Sequence, residues 1–449
     1  MPLPPGPRAP RAVQMYQWIA NPIPYLAAGA EKFGPMFTAR FVIGDLVFIS
    51  DPALIKEVFR GDPDALRAGE ANRPPLEPIV GRNSALTLDG PEHLRQRKLM
   101  LPSFHGERIR RYGDLIEQIA HDDIDRWPVG TPFPLRRHAQ EVTLEVIMRT
   151  VFGIEAGARL NQLRDMLRRM LELGNNRFAM TSIVLPQLRR TVGRGVWRRF
   201  VALRAQADEL IYDEIRRRRA DPATAERDDV LSVLLQARDE DGEPMTDVEL
   251  RDELMTLLVA GHETTSTALA WTFDLLVHNP EAMQRLQAEI AAGESDEYLD
   301  AVIKESMRIR PVVPGVSRKL SRPWTLDGFE MPAGTRVSPN IWLTHHNPDI
   351  YPEPERFRPE RFIETAADTY SWIPFGGGIR RCLGASFALF EMKVVIPAVL
   401  SRLELSPAGP PEAIKRRAVT FAPGQEGRLI ADHKHPRPAS GAERVQASV

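Results

Sequence analysis

The sequence predicts a mainly α-helical fold with small peripheral β-sheets. Apolar residues return every three or four positions through most of 90–290, strand-like runs are short and confined to the flanks, and an irregular Pro/Gly/aromatic stretch at 347–381 precedes one last helix.

Taken in order, residues 36–50 read as two short strands about a turn at Gly44-Asp45, and Asp51-Pro52 opens a helix through Phe59. Ile116, Ile119, Ala120 and Ile124, and later Leu203, Ala207, Leu210 and Ile211, carry the helical spacing. Residues 173–196 and 219–228 lack it and read as loops. Asp247 begins a long helix reaching His278, closed by Asn279-Pro280, and another covers 297–310 before Pro311. A small sheet is expected at 311–340, a helix at 384–401, and a sheet-like tail to about 430. The chain is read as one domain, 1–430, with 431–449 a disordered polar tail.

Composition excludes several functions. The 449 residues carry 59 Lys+Arg against 60 Asp+Glu, a net charge of -1, which gives no support to a nucleic-acid surface. One cysteine in the chain rules out an internal disulfide framework, zinc ribbons and iron–sulfur clusters. No run of 18 apolar residues exists to form a transmembrane anchor, and the proline-rich start lacks the core of a signal peptide. These features predict a soluble, cytoplasmic protein.

The strongest chemical signal is Phe375 to Gly384, where three glycines and two arginines precede Cys382 and a helix follows. Positive charge and a helix N-terminus favour a thiolate, a soft ligand suited to iron. A phosphate-binding loop is the competing reading, but the Gly-Lys-Ser/Thr ending is missing. The segment resembles the cytochrome P450 signature Phe-Gly-x-Gly-x-Arg/His-x-Cys-x-Gly at every fixed position: Phe375, Gly376, Gly378, Arg380, Cys382 and Gly384. The resemblance implies a cytochrome P450 fold and haem b (iron protoporphyrin IX), with Cys382 as the iron ligand, Arg380 on a propionate and Phe375 beside the sulfur.

Glu305 and Arg308 lie three apart on a predicted helix and share a face. Taken alone such a pair is an ordinary surface contact. The resemblance implies instead a buried structural triad, closed by an arginine of a Pro-Glu-Arg-Phe motif. That motif occurs twice; spacing to the cysteine loop favours Arg361, with Arg356 the alternative.

Within the long helix stands Ala260-Gly261-His262-Glu263-Thr264-Thr265. Small residues at Ala260 and Gly261 would admit a flat ligand, and Thr264 can bond back to the Ala260 carbonyl. A His-Glu-x-x-His zinc site fails because Ser266 stands at the second histidine position. A helix broken and recapped at Thr264 or Thr265 is the remaining alternative. The segment resembles the family's oxygen-activation motif, which implies Thr264 as the alcohol and Glu263 as the acid of a proton-delivery pair.

Asp89 and Glu92 read as a capping box opening a helix, with His93 and Arg97 on one face four apart. By resemblance these two, and Arg318 in the strand after the 297–310 helix, hold haem propionates. It also implies substrate-lining segments at Val259–Ala260, Val312–Val316, 66–88 and 173–196. The apolar run Pro311–Val316 suits an apolar substrate, and ordinary core packing would equally use it; a small apolar substrate of lipid, steroid or terpenoid class is expected from the resemblance.

The basic residues Arg95, Arg97, Lys98, Arg108, Arg110, Arg111, Arg381 and Lys393 would steer an acidic carrier. No flavin or nicotinamide domain is recognised, so electrons are expected from a separate ferredoxin and ferredoxin reductase. The expected reaction is monooxygenation with O2. A peroxide-driven or rearranging enzyme is disfavoured by the intact Glu263-Thr264 pair, and a non-catalytic haem sensor or carrier is the reading from another class.

Overall fold

Thr246 starts the longest element: its hydroxyl accepts from the Glu249 N–H while the Glu249 carboxylate accepts from the Thr246 N–H. The helix that follows, Asp247–Val277, spans 31 residues without a break, which excludes recapping at Thr264 or Thr265. Leu254, Leu258, Ala268, Trp271 and Leu276 are buried along it, so it runs through the interior rather than over it. The computed structural model describes residues 3–104, 106–154, 157, 161–166, 168–169 and 194–437.

Two apolar clusters meet on this helix. One joins it to helices Gly113–Ile124, Leu135–Val151, Glu297–Ile309 and Ala385–Leu400. The other joins it to Arg194–Ala220 and Val230–Gln236. Leu135–Val151 approaches most closely: a Cβ placed on Gly261 would lie 2.8 Å from Ile147 Cδ1.

The largest sheet has the order Met36–Phe41, Gly44–Ile49, Arg336–Pro339, Arg318–Leu320, Leu66–Arg67. Its first hairpin turns at Val42-Ile43, one dipeptide earlier than expected, because Gly44 already pairs with Phe41. Gly44–Ile49 and Arg336–Pro339 are parallel, so distant parts of the chain share this sheet. Register places Arg318 opposite Val337.

Other expectations shift. Residues 68–80, within the expected substrate-lining segment 66–88, form helix Ala68–Val80 despite Pro74, Pro75 and Pro78. Tertiary hydrogen bonds hold it: Asn72 Nδ2 donates to Leu86 O (3.2 Å) and Arg73 Nε to Thr87 O (3.1 Å). The 173–196 loop lies outside the described residues up to 193, and 194–196 begin the helix Arg194–Ala220. Residues 222–226, within the other expected loop, form a short 3-10 turn. The final strand, Arg428–Lys434, runs past residue 430, while 438–449 lie outside the described residues.

Candidate functional site

The cysteine loop is shaped by its glycines. Gly376 and Gly378 hold φ of +66° and +63°, and a Cβ on Gly378 would sit 2.2 Å from the Phe59 carbonyl oxygen. The Cys382 N–H donates to Phe375 O at 2.9 Å, closing the loop before the helix Ala385–Leu400. Phe375 meets Trp372 edge-to-face, ring centroids 6.1 Å apart. Arg97 Nη1 donates to Arg381 O at 2.8 Å, which brings the helix Gly90–Met100 to the sulfur.

Cys382 is exposed, yet burial pushes its thiol up, against the Gly384 N–H and the charges of Arg97 and Arg381. Both hold if the sulfur lies deep within a cleft. In the metal-free chain burial outweighs the positive charges expected to favour a thiolate; a bound metal deprotonates a coordinating thiol outright.

Four basic side chains lie close to one another beside the cysteine loop. Burial first, then the charges of Arg380, Arg97 and Arg318, lowers His93 to about 3, so this imidazole is neutral. Arg318 is pushed down to about 10 by burial and by Arg380, and Arg380 to about 10 by burial and by Arg97, with Asp89 opposing. Among the described residues, Arg380 alone of the three arginines has a carboxylate in salt-bridge contact, Asp89 at 2.6 Å. Arg318 donates to Ser317 O at 3.0 Å. A buried cation without a carboxylate is costly unless an anion reaches it, so this donor set fits a group carrying two carboxylates, as haem does. Arg380 itself also donates to Ala85 O (3.0 Å) and Leu88 O (2.6 Å), so it clamps the 85–89 backbone as well.

On the long helix, Ala260 is exposed and Val259, Gly261, Glu263 and Thr264 beside it are half-buried, so protein groups leave this stretch uncovered. Thr264 Oγ1 donates to Ala260 O at 2.6 Å, as expected. Gly261 differs from expectation: its missing side chain faces Ile147, so the close approach it permits is between two helices. His262 turns inward, Nδ1 lying 3.0 Å from Thr143 Oγ1. Glu263 is held at both oxygens from the helix Leu135–Val151, one by Arg136 Nη2 and the other by Gln140 Nε2 at 3.0 Å. Arg136, itself buried, also bonds Glu426 at 2.6 Å. Sequence reasoning missed Arg136, since nothing local marks it.

The structural triad assembles as anticipated. Arg308 Nε donates to Glu305 Oε2 at 2.7 Å, and Arg361 Nε to Glu305 Oε1 at 3.0 Å. Arg356 is exposed and pairs with Glu353, so Arg361 completes the triad. Trp372 Nε1 donates to Lys304 O at 3.1 Å, joining the triad helix to the loop leading to Cys382.

Two local readings change. Asp89 does not cap its own helix; its carboxylate accepts from Gly69 N–H (2.7 Å) and Glu70 N–H (2.8 Å), capping the helix Ala68–Val80. Half of the basic cluster is paired: Arg95 with Asp239 and Glu249, Lys98 with Glu240, Arg111 with Asp228, and Lys393 with Asp296 and Asp300.

The cytochrome P450 family profile matches residues 4–427. A Mycobacterium tuberculosis protein named cytochrome P450 135B1 is 43% identical over 413 residues, covering 90% of this chain and 86% of its own. Cytochrome P450 137 of the same organism is 39% identical, covering 95% and 90%. Among solved structures, retinoic acid-bound cyanobacterial CYP120A1 superposes with a TM-score of 0.82 at 25% identity, covering 97% of this chain and all of that one. The haem domain of a P450DA mutant gives 0.84 at 22% identity, covering 98% of each. No helix among the described residues is long and apolar enough to cross a membrane. With the fold, the cysteine loop and the relatives in agreement, the chain belongs to the cytochrome P450 family: it is a P450 monooxygenase, an oxidoreductase of the kind that binds haem b through a cysteine thiolate.

Proposed function

We propose that this chain inserts one atom of O2 into a small apolar substrate of lipid, steroid or terpenoid class, with Cys382 as the thiolate that would hold the haem iron. The observation that carries the assignment is the gathering of Arg97, Arg318, Arg380 and neutral His93 around the cysteine loop with Asp89 the one paired carboxylate. Haem, when bound, supplies dioxygen activation, assisted by electron density from the thiolate. The protein's residues do the rest. Arg97, Arg318 and Arg380 would hold the propionates together with His93, which as a neutral imidazole can hydrogen-bond without adding charge.

Thr264 keeps its hydroxyl at the uncovered stretch of helix, where it holds a water molecule. Glu263 brings protons to it, and must first loosen its bonds to Arg136 and Gln140. Val313 and Val316 are partly exposed at the apolar segment that would line the substrate. Electrons come from a redox partner; we assign this to a ferredoxin and its reductase. The pairing of Arg95, Lys98, Arg111 and Lys393 narrows its docking contacts to the cations left near Arg381.

Reducing the holoprotein under CO tests the ligand: absorption at the thiolate-type wavelength is expected, and its survival in Cys382→Ser would refute the assignment. Turnover of fatty acids, steroids and terpenes with a reconstituted ferredoxin system then tests the substrate class.

A further inference from the structure

Residues 81–89 cross between the helices Ala68–Val80 and Gly90–Met100, and they are gripped from two sides. The long helix supplies one grip. Asp252 accepts from Asn83 N–H at 2.9 Å, Glu253 accepts from Ala85 N–H at 2.8 Å, and Thr256 Oγ1 donates to Ser84 Oγ at 2.7 Å. The cysteine loop supplies the other through Arg380, which donates to Ala85 O, Leu88 O and Asp89 Oδ1. The Ala85 peptide is therefore held at its N–H by one face of the site and at its C=O by the other.

Asp89 extends this grip to a third element. Its Oδ1 accepts from Gly69 N–H and Arg380, and its Oδ2 from Glu70 N–H. Three donors converge on one carboxylate, which can only accept. An asparagine would lose the charge and turn an N–H₂ toward one of those donors.

We infer that Asp89 is a positioning residue for the cysteine loop: it fixes the Arg380 guanidinium two residues from Cys382 and couples that cation to the start of the helix Ala68–Val80. Any ligand that displaces this helix must disturb Asp89, and through it the charge and position of Arg380 beside the haem. Helix capping alone would not require an arginine partner. Nor would it place the cap of one helix under the control of a loop nearly three hundred residues away (|i−j| = 291).

The inference rests on Cys382 being the iron ligand, and the test separates the two. In holoprotein, Asp89→Asn is compared with wild type and with Asp229→Asn. Asp229 likewise caps a helix and pairs with an arginine, Arg218, outside the haem site. Removing the Asp89 charge makes the surroundings of Arg380 more positive, which favours the more negative ferrous state. An upward shift of the ferric/ferrous midpoint potential is expected in Asp89→Asn and not in Asp229→Asn. Amide exchange at Gly69 and Glu70 should quicken by about fivefold.

Arg380→Lys guards against a variant that fails to fold. It keeps the charge but loses the fork, and should also quicken exchange at Gly69 and Glu70. An unmoved potential in Asp89→Asn, or unchanged exchange in Arg380→Lys, overturns the coupling. If wild type itself lacks the thiolate-type CO spectrum, the ligand assignment falls first and the coupling with it.

Discussion

Glu305 and Arg308 meet through two hydrogen bonds, 2.7 and 2.9 Å long, where neither side chain keeps any accessible surface. Arg308 spends its remaining donors on the carbonyls of His345 and Pro354, at 2.7 and 2.9 Å. Replacing Glu305 by Gln leaves a buried cation without its counter-charge, a loss of about 3–5 kcal/mol. Guanidinium denaturation and the haem-to-protein ratio should both fall sharply. A variant that stays fully loaded and equally stable would show that the pair carries no structural weight.

Arg318 behaves in the opposite sense. Burial holds it down at about 10, and its hydrogen bond goes to a neighbouring carbonyl. Arg318→Leu should therefore leave the apoprotein as stable as wild type or more so, because an uncompensated buried charge is gone. Haem should dissociate faster, measured by transfer to apomyoglobin. Equal dissociation rates would remove Arg318 from the propionate site.

Thr264 tests the proton route. Thr264→Ala removes a hydroxyl bonded within its own helix, so stability should stay within about 0.5 kcal/mol of wild type. Product formed per O2 consumed should drop by about tenfold or more, with hydrogen peroxide released instead. Unchanged coupling would rule out the assigned alcohol.

His262 sets a pH dependence. Burial, and then the charge of Arg136, lowers it to about 3. An unfolded histidine titrates near 6.5, so between these values the unfolded chain binds the extra proton. Stability is thus lost as pH falls below about 6.5, and above it this group has no effect. His262→Gln should flatten that acid slope by up to about 1.4 kcal/mol per pH unit. Urea melts at pH 7.5 and pH 5 with the same difference in both proteins would contradict this.

Chemistry carried by contiguous residues was readable before any coordinates. The loop Phe375–Gly384 is such a case; helical spacing puts Glu305 and Arg308 on one face, but their burial is implied only by the family resemblance. Spacing to the cysteine loop favours Arg361 over Arg356, and contact separates them: Arg361 reaches Glu305 while Arg356 stays exposed on Glu353. Arg136 was invisible because it reaches Glu263 across 127 residues. Asp89 shows a local rule losing to a tertiary one. Its capping-box pattern is intact, yet its carboxylate is drawn away by Arg380 and two amides of another helix. The paired basic residues make the same point, because composition counts charges without showing which acids face them.

The parallel pairing of Gly44–Ile49 with Arg336–Pro339 has a consequence for biosynthesis. A ribosome adding about 5–20 residues per second takes roughly 15–60 s to travel between them. Throughout that interval the earlier strand waits with one ladder of peptide groups unpaired, a template for association with other nascent chains. Ample chaperone that covers the waiting strand should therefore raise the soluble yield of this protein. Any transcript ending upstream of residue 339 should yield aggregate rather than a usable fragment.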